Sequence, residues 1–509
     1  MKLCEKQHVI LGPPGTGKTT TLLNIVVQKL ESGIAPEKIA YFSFTKKAVG
    51  EAMTRAAEQF GASRTSMPHF RTIHSEVFTI NEHTKNQVMG KAHYDEIGKA
   101  LGIQFDGSRI DETTGMPLGN AEGDLHLFLD NLARSRGITL RQQWNESALQ
   151  DLDFRSLERT VNAVTRYRDS TGLVDFTSML EQYCQHGSPI NVDVAFIDEA
   201  QDLSLLQWQT LWLMLGDCPE VYIAGDDDQA IYRWSGADVG TFLSLDGERR
   251  VLGTSWRCPR KVKILCDRIA GRIGTRFAKE WQHTGEEGRV FNVNNLDQFD
   301  PGILEGTTMM LARNLFILKE YTDRLKVLGL PYVTQYGSNS IKPTHAKAIV
   351  SWGRLNKGEE ITGQEAKVVY DHLRVGVGVK RGFKTLPHLD NQARVTIEDL
   401  KQNYGLLAQG HWFDALDAIT GNEISYYRSV LRKGFKLTDT PRIAVNSIHG
   451  VKGGEADNVL ICPDMSKKTF EGYSKNPDDE HRVAYVAVSR TKKNLFLLSP
   501  DDINTYKYL

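Results

Sequence analysis

The chain has 509 residues, 40% of them apolar and 25% charged, with a formal net charge of -1 at pH 7. That length provides for roughly three or four domains or subdomains. The balanced charge excludes a uniformly basic polymer, so any nucleic-acid contact must come from a local cationic surface.

The first predicted strand is the apolar run His8-Val9-Ile10-Leu11, and Thr21 to Val27 carries apolar residues that suit a helix. Between them stands Gly12-Pro13-Pro14-Gly15-Thr16-Gly17-Lys18-Thr19-Thr20, a full G-x-x-x-x-G-K-T match. A strand, a glycine-rich turn and a helix form the setting that a phosphate-binding loop requires. Successive backbone N–H groups close around phosphate oxygens, and the helix N-terminus adds positive dipole. Lys18 then reaches the β- and γ-phosphates, and the Thr19 hydroxyl holds Mg²⁺. The chain is expected to bind a nucleoside triphosphate.

Ile39 to Phe44 reads as a second strand, Thr45 to Ala57 as a helix, and Phe70-Arg71-Thr72-Ile73-His74 as a short third strand. From about Ser75 to Gly187 the pattern shifts to polar helices and glycine-rich loops, as in an inserted, largely helical subdomain. Strands resume at Val192 to Ile197 and at Val221 to Ala224. A second α/β block has strands at Thr308 to Ala312, Arg442 to Val445 and Asn494 to Leu498, interrupted by weakly periodic sequence from Lys342 to Lys433. Alternating strands and helices imply parallel sheets covered on both faces. Six cysteines without a C-x-x-C pair speak against a disulfide scaffold or a zinc site. No apolar run is long enough to span a bilayer, and no secretory leader is visible, so a cytoplasmic location without membrane contact is expected.

Asp198 and Glu199 follow directly on the strand that ends at Ile197. An Asp at that point holds the Mg²⁺ whose other protein ligand is Thr19, and Glu199 is placed to polarise an attacking water. Together with the phosphate loop they specify Mg²⁺-dependent triphosphate hydrolysis. What the energy drives comes from Gly225 to Asp238, GDDDQAIYRWSGAD.

This segment resembles the UvrD/Rep/PcrA family of superfamily 1 helicases, and the resemblance runs through most of the chain. SFTKKAVGEA (Ser43 to Ala52) is similar to motif Ia, RTIHS (Arg71 to Ser75) to motif Ib, and VDFTSML (Val174 to Leu180) to an L-D-F-D-D-L-L segment. SWR (Ser255 to Arg257), LAR (Leu311 to Arg313), SIHGVKGGEADNV (Ser447 to Val459) and VAYVAVSRTKKNL (Val483 to Leu495) match later motifs in the family's order.

The resemblance implies two RecA-like parallel-sheet domains, each carrying a mainly helical or mixed insertion. It divides the chain into 1–75 and 188–250 (domain 1A), 76–187 (insertion 1B), 251–341 and 434–509 (domain 2A), and 342–433 (insertion 2B). It also implies an ATP-driven helicase moving 3′→5′ on single-stranded DNA and acting at single-strand/duplex junctions. Gln229 would sense the γ-phosphate, and Arg257 and Arg490 would bring guanidinium charge to it. Glu455 would contact the ribose. Phe44, Thr45, His74, Tyr232 and Trp234 would line the DNA path, since aromatic faces stack on any base. Arg313, His449 and Lys452 would serve DNA from the second domain.

Three departures from the family stand out, one of them that the sequence stops soon after the last motif, so that no C-terminal nuclease or partner-binding tail is expected. A glutamine-containing motif that reads the adenine edge belongs some twenty residues before the phosphate loop, and this sequence starts too close to Gly12 to include it. Stacking on Trp256 would then carry the base contact, with relaxed nucleotide preference expected. The segment 342–433 is shorter than the family's insertion and contains Arg374 to Gly382, RVGVGVKRG, which suits either a duplex-phosphate grip or a solvated turn. Three other readings stay open: a 5′→3′ enzyme of the RecD/Dda type or an RNA helicase, a translocase that displaces proteins without unwinding, and a nucleotide-gated loading module. A monomer is expected, working with replication or repair proteins.

Overall fold

A computed structural model describes residues 3–43, 49–50, 53–54, 66–107, 110–111, 116–117, 119, 121–147, 149, 151–334 and 337–509. The chain divides into two compact units: Met1–Val290 with Pro463–Leu495 and Asp501–Leu509, and Phe291–Cys462 with Phe496–Pro500.

The first unit is built on strands β1 (Lys6–Leu11), β2 (Ile39–Ser43) and β3 (Phe70–Arg71), with β4 (Ile110–Asp111) and β5 (Met116–Pro117) forming a separate small hairpin. It continues with β6 (Val194–Asp198), β7 (Glu220–Gly225) and β8 (Glu248–Val251), and the six-stranded sheet runs β3-β2-β6-β7-β1-β8. Its pairings are parallel throughout. Alternation along each strand feeds two cores. Val9, Leu11, Phe42, Ala195, Ile197, Val221 and Ile223 face one side. Ile10, Ile39, Tyr41, Val194, Phe196 and Ala224 face the other. A sheet buried on both faces needs nearly continuous apolar strands, which is why β2 and β6 were legible as unbroken runs.

The remaining strands are β9 (Arg289–Val293), β10 (Thr308–Ala312), β11 (Tyr332–Thr334), the short pair β12 (Ile361–Thr362) and β13 (Arg394–Val395), then β14 (Ile443–Ser447), β15 (Ala456–Ile461) and β16 (Thr491–Leu498). The order of the second sheet is β11-β14-β10-β15-β16-β9. The pairings of β10 with β14 and β15, and of β11 with β14, are parallel. Two parallel-sheet α/β domains of the RecA type are therefore present, as the sequence implies.

Two local readings need correction. The segment Phe70 to His74 is a strand only through Arg71. Thr72 adopts the N-cap position, its hydroxyl accepting from the Ser75 N–H at 3.3 Å, and a helix runs Ile73–Ile80. The side-chain cap satisfies an orphan helix donor and ends the strand early. The segment 342–433, weakly periodic in sequence, holds helices Pro343–Asn356, Gly363–Asp371, Ile397–Asn403 and Gly421–Arg432 around a core of its own. Trp352, Tyr370, Leu400, Leu416, Tyr427 and Val430 are buried there. Short helices and buried tyrosines, histidines and alanines blur an apolar period that is nonetheless present at Ile349, Trp352 and Leu355.

Candidate functional site

The phosphate loop leaves β1 at the carboxyl edge of the first sheet, where ligands of open α/β folds bind. Gly12 N–H donates to the Gly225 carbonyl at 3.0 Å, extending the β1–β7 pairing by one residue. Gly15 and Gly17 have φ of +70° and +80°, a conformation that costs residues bearing a Cβ. Space is equally restrictive: a Cβ on Gly12 would lie 2.0 Å from Lys18 Cγ, and one on Gly15 would lie 2.3 Å from Arg257 Cβ. The loop closes on itself, with the Pro13 carbonyl accepting from the Thr16 hydroxyl at 2.8 Å. The helix Lys18–Glu31 starts at its end, with Lys18, Thr19 and Thr20 in the first turn.

Lys18 is buried and its Nζ donates to the Gly12 carbonyl at 2.8 Å. Thr19 Oγ1 donates to Asp198 Oδ2 at 2.6 Å, and the same oxygen accepts from Tyr41 Oη at 2.9 Å. Asp198 is fully buried at the end of β6. Burial, then the adjacent Glu199 charge, pushes its carboxyl above the ordinary range. A hydroxyl and one carboxylate are hard oxygen donors of the kind Mg²⁺ takes when phosphates and waters supply its remaining positions, so the residues fit that ion. Among the described residues no cluster of three or more His, Cys, Asp or Glu offers an all-protein metal site.

Glu199 sits at φ 54°, in the left-handed region that non-glycine residues rarely occupy. Its carboxylate accepts from Gln201 Nε2 at 2.6 Å, and Gln201 Oε1 accepts from the Asp226 N–H at 2.9 Å. Asp226 Oδ2 in turn accepts from Gln229 Nε2 at 2.7 Å, and Gln229 Oε1 accepts from Arg490 Nη2 at 2.8 Å. A continuous series of hydrogen bonds thus joins Glu199 to Arg490. Burial, then the Arg257 charge, pulls the Arg490 guanidinium down to about 9, so it remains a cation at neutral pH. Ser255 fastens its segment to the loop, Oγ donating to the Pro14 carbonyl at 2.7 Å, and Trp256 N–H donates to the Gly15 carbonyl at 2.8 Å. That bond leaves the Trp256 indole 77% exposed beside the loop.

Sequence reading thus named Lys18, Thr19, Asp198, Glu199, Gln229, Arg257 and Arg490, which the fold brings together in the first unit. It missed Tyr41, Gln201, Asp226 and Ser255, which orient them. Gln201 lies three residues beyond Asp198, and Asp226 and Ser255 lie within the quoted runs Gly225 to Asp238 and Ser255 to Arg257, so all three had a visible signal; Tyr41 had none.

Of the residues assigned to DNA, Phe44 and Thr45 lie outside the described residues. His74 packs edge-on against Phe176, centroids 6.2 Å apart. Burial lowers its pKa to about 4, leaving the imidazole neutral. Tyr232 and Trp234 meet edge to face at 6.0 Å. Trp234 borders a cavity of about 380 Å³ whose apolar walls include Tyr94, Phe105, Phe128 and Leu132. The buried Trp234 indole N–H meets no acceptor among the described residues.

Arg313, His449, Lys452 and Glu455 belong to the second unit. Arg313 follows β10, His449 and Lys452 follow its neighbour β14, and Glu455 is exposed just ahead of β15. His449 is buried, and that burial, then the Arg313 and Lys452 charges, drives its pKa well below the ordinary value. In the turn at 374–382 the amides of Gly376, Val377 and Gly378 are spent on Val379 and Arg374 carbonyls.

Residues 1–249 match the model of the UvrD/REP helicase N-terminal domain, and residues 424–500 that of the UvrD-like helicase C-terminal domain. The chain is 23% identical to the putative ATP-dependent DNA helicase YjcD of Bacillus subtilis (strain 168), over 97% of this chain and 77% of that protein. It is 25% identical to a probable DNA helicase of Mycoplasma pneumoniae, over 47% of each chain. DNA helicase II of Escherichia coli (strain K12) is 25% identical over 57% of this chain and 42% of its own length. The matches to these last two therefore span less than half of each relative. The solved arterivirus nonstructural protein 10 helicase aligns with 98% of this chain and 60% of its own, at 12% identity and a TM-score of 0.34.

Proposed function

The chain belongs to the UvrD/REP helicase family, and on that premise we propose that it is an ATP-dependent DNA helicase that moves 3′→5′ along single-stranded DNA as a monomer and opens duplex ahead of it. The observation that carries this reading is the hydrogen-bonded series from Glu199 to Arg490 beside a phosphate loop whose Thr19 is bonded to Asp198. A nucleotide-gated loading module would not need a water-polarising carboxylate wired to an arginine.

In this reading the loop amides from Gly15 to Thr20 bind the triphosphate, and Lys18 leaves the Gly12 carbonyl for the γ-phosphate. Thr19 and Asp198 would hold Mg²⁺, which would neutralise phosphate charge. Glu199 takes the proton of the attacking water, and Arg257 and Arg490 balance the charge that develops on the transferred phosphoryl group. Trp256 offers its exposed indole to the base. Gln229, bonded to Arg490, registers whether the γ-phosphate is present.

For DNA, Trp234 and Tyr232 stack bases, with Phe44, Thr45 and His74 along the same path. His74 at neutral pH adds a ring face without charge. Arg313 and Lys452, whose charges act on the buried neutral His449, supply cations in the second unit for the backbone. A translocase that displaces proteins but unwinds poorly is the second reading. It is favoured by the turn at 374–382, where the amides of Gly376, Val377, Gly378 and Val379 bond to carbonyls of the turn itself and are not available to duplex phosphates.

The test is ATP hydrolysis with and without a single-stranded oligonucleotide, in the wild type and in Trp234→Ala. DNA should stimulate the wild type. Trp234→Ala should weaken single-strand binding by about 1–3 kcal/mol, read by fluorescence anisotropy at one fixed salt concentration. Unchanged affinity would remove Trp234 from the DNA path, and no stimulation in the wild type would contradict the motor.

A further inference from the structure

We propose that Lys279 is a positioning residue for ATP hydrolysis, fixing the Asp226 carboxylate that aims Gln229 at Arg490. The inference rests on the reading of the site given above and adds a residue that no motif contains.

Asp226, Asp227 and Asp228 are consecutive and wholly buried. Three adjacent carboxylates in one buried turn are untenable without matched cations. Lys279, from an irregular segment some fifty residues on, supplies the shared one. Its Nζ is 3.0 Å from Asp226 Oδ1 and 3.0 Å from Asp228 Oδ2, and it pairs also with Asp227 Oδ1. The side chain is 1% exposed. Burial opposes its charge, but the three carboxylates outweigh this and hold its pKa above the ordinary lysine range.

The three aspartates do not depend on it equally. Asp228 keeps a two-pronged bond from Arg276, at 2.7 and 2.6 Å. Asp227 keeps the Phe277 N–H at 2.8 Å. Asp226 has no other cation within ion-pair distance among the described residues, and the next one acting on it through space is Lys18. Lys279 holds Asp226 Oδ1, which also accepts the Asp228 N–H at 3.3 Å, while Oδ2 receives Gln229 Nε2, and the Asp226 N–H meets Gln201, which bonds Glu199. Asp226 is therefore the junction between the water-polarising carboxylate and the arginine. Without Lys279 its carboxylate is an unpaired buried charge that either turns toward Lys18 or takes a proton, and both reset Gln229. Arg276, which holds only Asp228, supports the same turn without touching that junction.

The experiment is steady-state ATP hydrolysis at saturating single-stranded oligonucleotide for wild type, Lys279→Met and Arg276→Gln, with a thermal melt of each. Lys279→Met should lower kcat by about tenfold or more while the KM for ATP stays within about threefold. Arg276→Gln should lower the melting temperature yet keep kcat within about twofold of wild type. If Lys279→Met does not fold, Lys279→Gln, which keeps a donor without the charge, carries the same expectation. A Lys279 variant with wild-type kcat, or kcat losses that follow the melting temperature alike at both positions, would overturn the assignment. Absence of turnover in the wild type would instead overturn the helicase reading itself.

Discussion

Lys18→Ala is expected to abolish DNA-stimulated ATP hydrolysis, lowering kcat by about three orders of magnitude or more. The Lys18 ammonium is buried and its bond to the Gly12 carbonyl holds it over the loop. A cation prepositioned in a water-poor site needs no reorganisation when charge builds on the γ-phosphate, so its loss falls on the transition state. The residues assigned to DNA lie elsewhere in the chain, so single-strand affinity should persist. Phosphate release and anisotropy, measured on the same preparation, separate the two. Retained hydrolysis in this variant would displace the site from the loop.

Arg490→Ala should have an effect of similar size, a loss of about 10³-fold or more in kcat, as arginines at transferring phosphoryl groups show. Nucleotide affinity should change by less than about tenfold. The guanidinium is fully buried, bonded to Gln229 Oε1, Ser489 Oγ and the Val486 carbonyl, so its position is set before nucleotide arrives. Arg490→Lys keeps the charge but loses the planar fork that reaches several acceptors at once, and should recover only a fraction of the rate. A fluorescent-nucleotide titration beside turnover checks the split. Affinity and kcat falling together would mean that Arg490 serves binding or folding, not the chemical step.

The parts of the site legible in sequence were those whose chemistry demands a particular residue at a particular spacing. Gly15 and Gly17 are required by positive φ, Lys18 and Thr19 by phosphate and metal, and Asp198 and Glu199 by a strand end. Fold class was legible for a similar reason: strands buried on both faces, such as Val194–Asp198, read as unbroken apolar runs. What escaped was whatever depends on distant segments meeting. Lys279 meets Asp226 across a gap that no local pattern marks, and SWR, though a motif, does not show that Ser255 meets Pro14. Thr72 shows the converse: an apolar, β-prone stretch turned into a helix because a hydroxyl captured the Ser75 amide of the first turn. The 342–433 core escaped because its buried set leans on Trp352, Tyr370 and Tyr427, which tolerate polar neighbours and leave no clean stripe.

The central claim is that ATP hydrolysis at this loop drives directional movement on single-stranded DNA. Strand separation on matched duplexes bearing a 3′ or a 5′ single-stranded tail, run with ATP and with a non-hydrolysable analogue, tests it most directly. Unwinding from the 3′ tail only, and only with ATP, is the predicted result. Unwinding from the 5′ tail, or strand separation with the analogue, would contradict it.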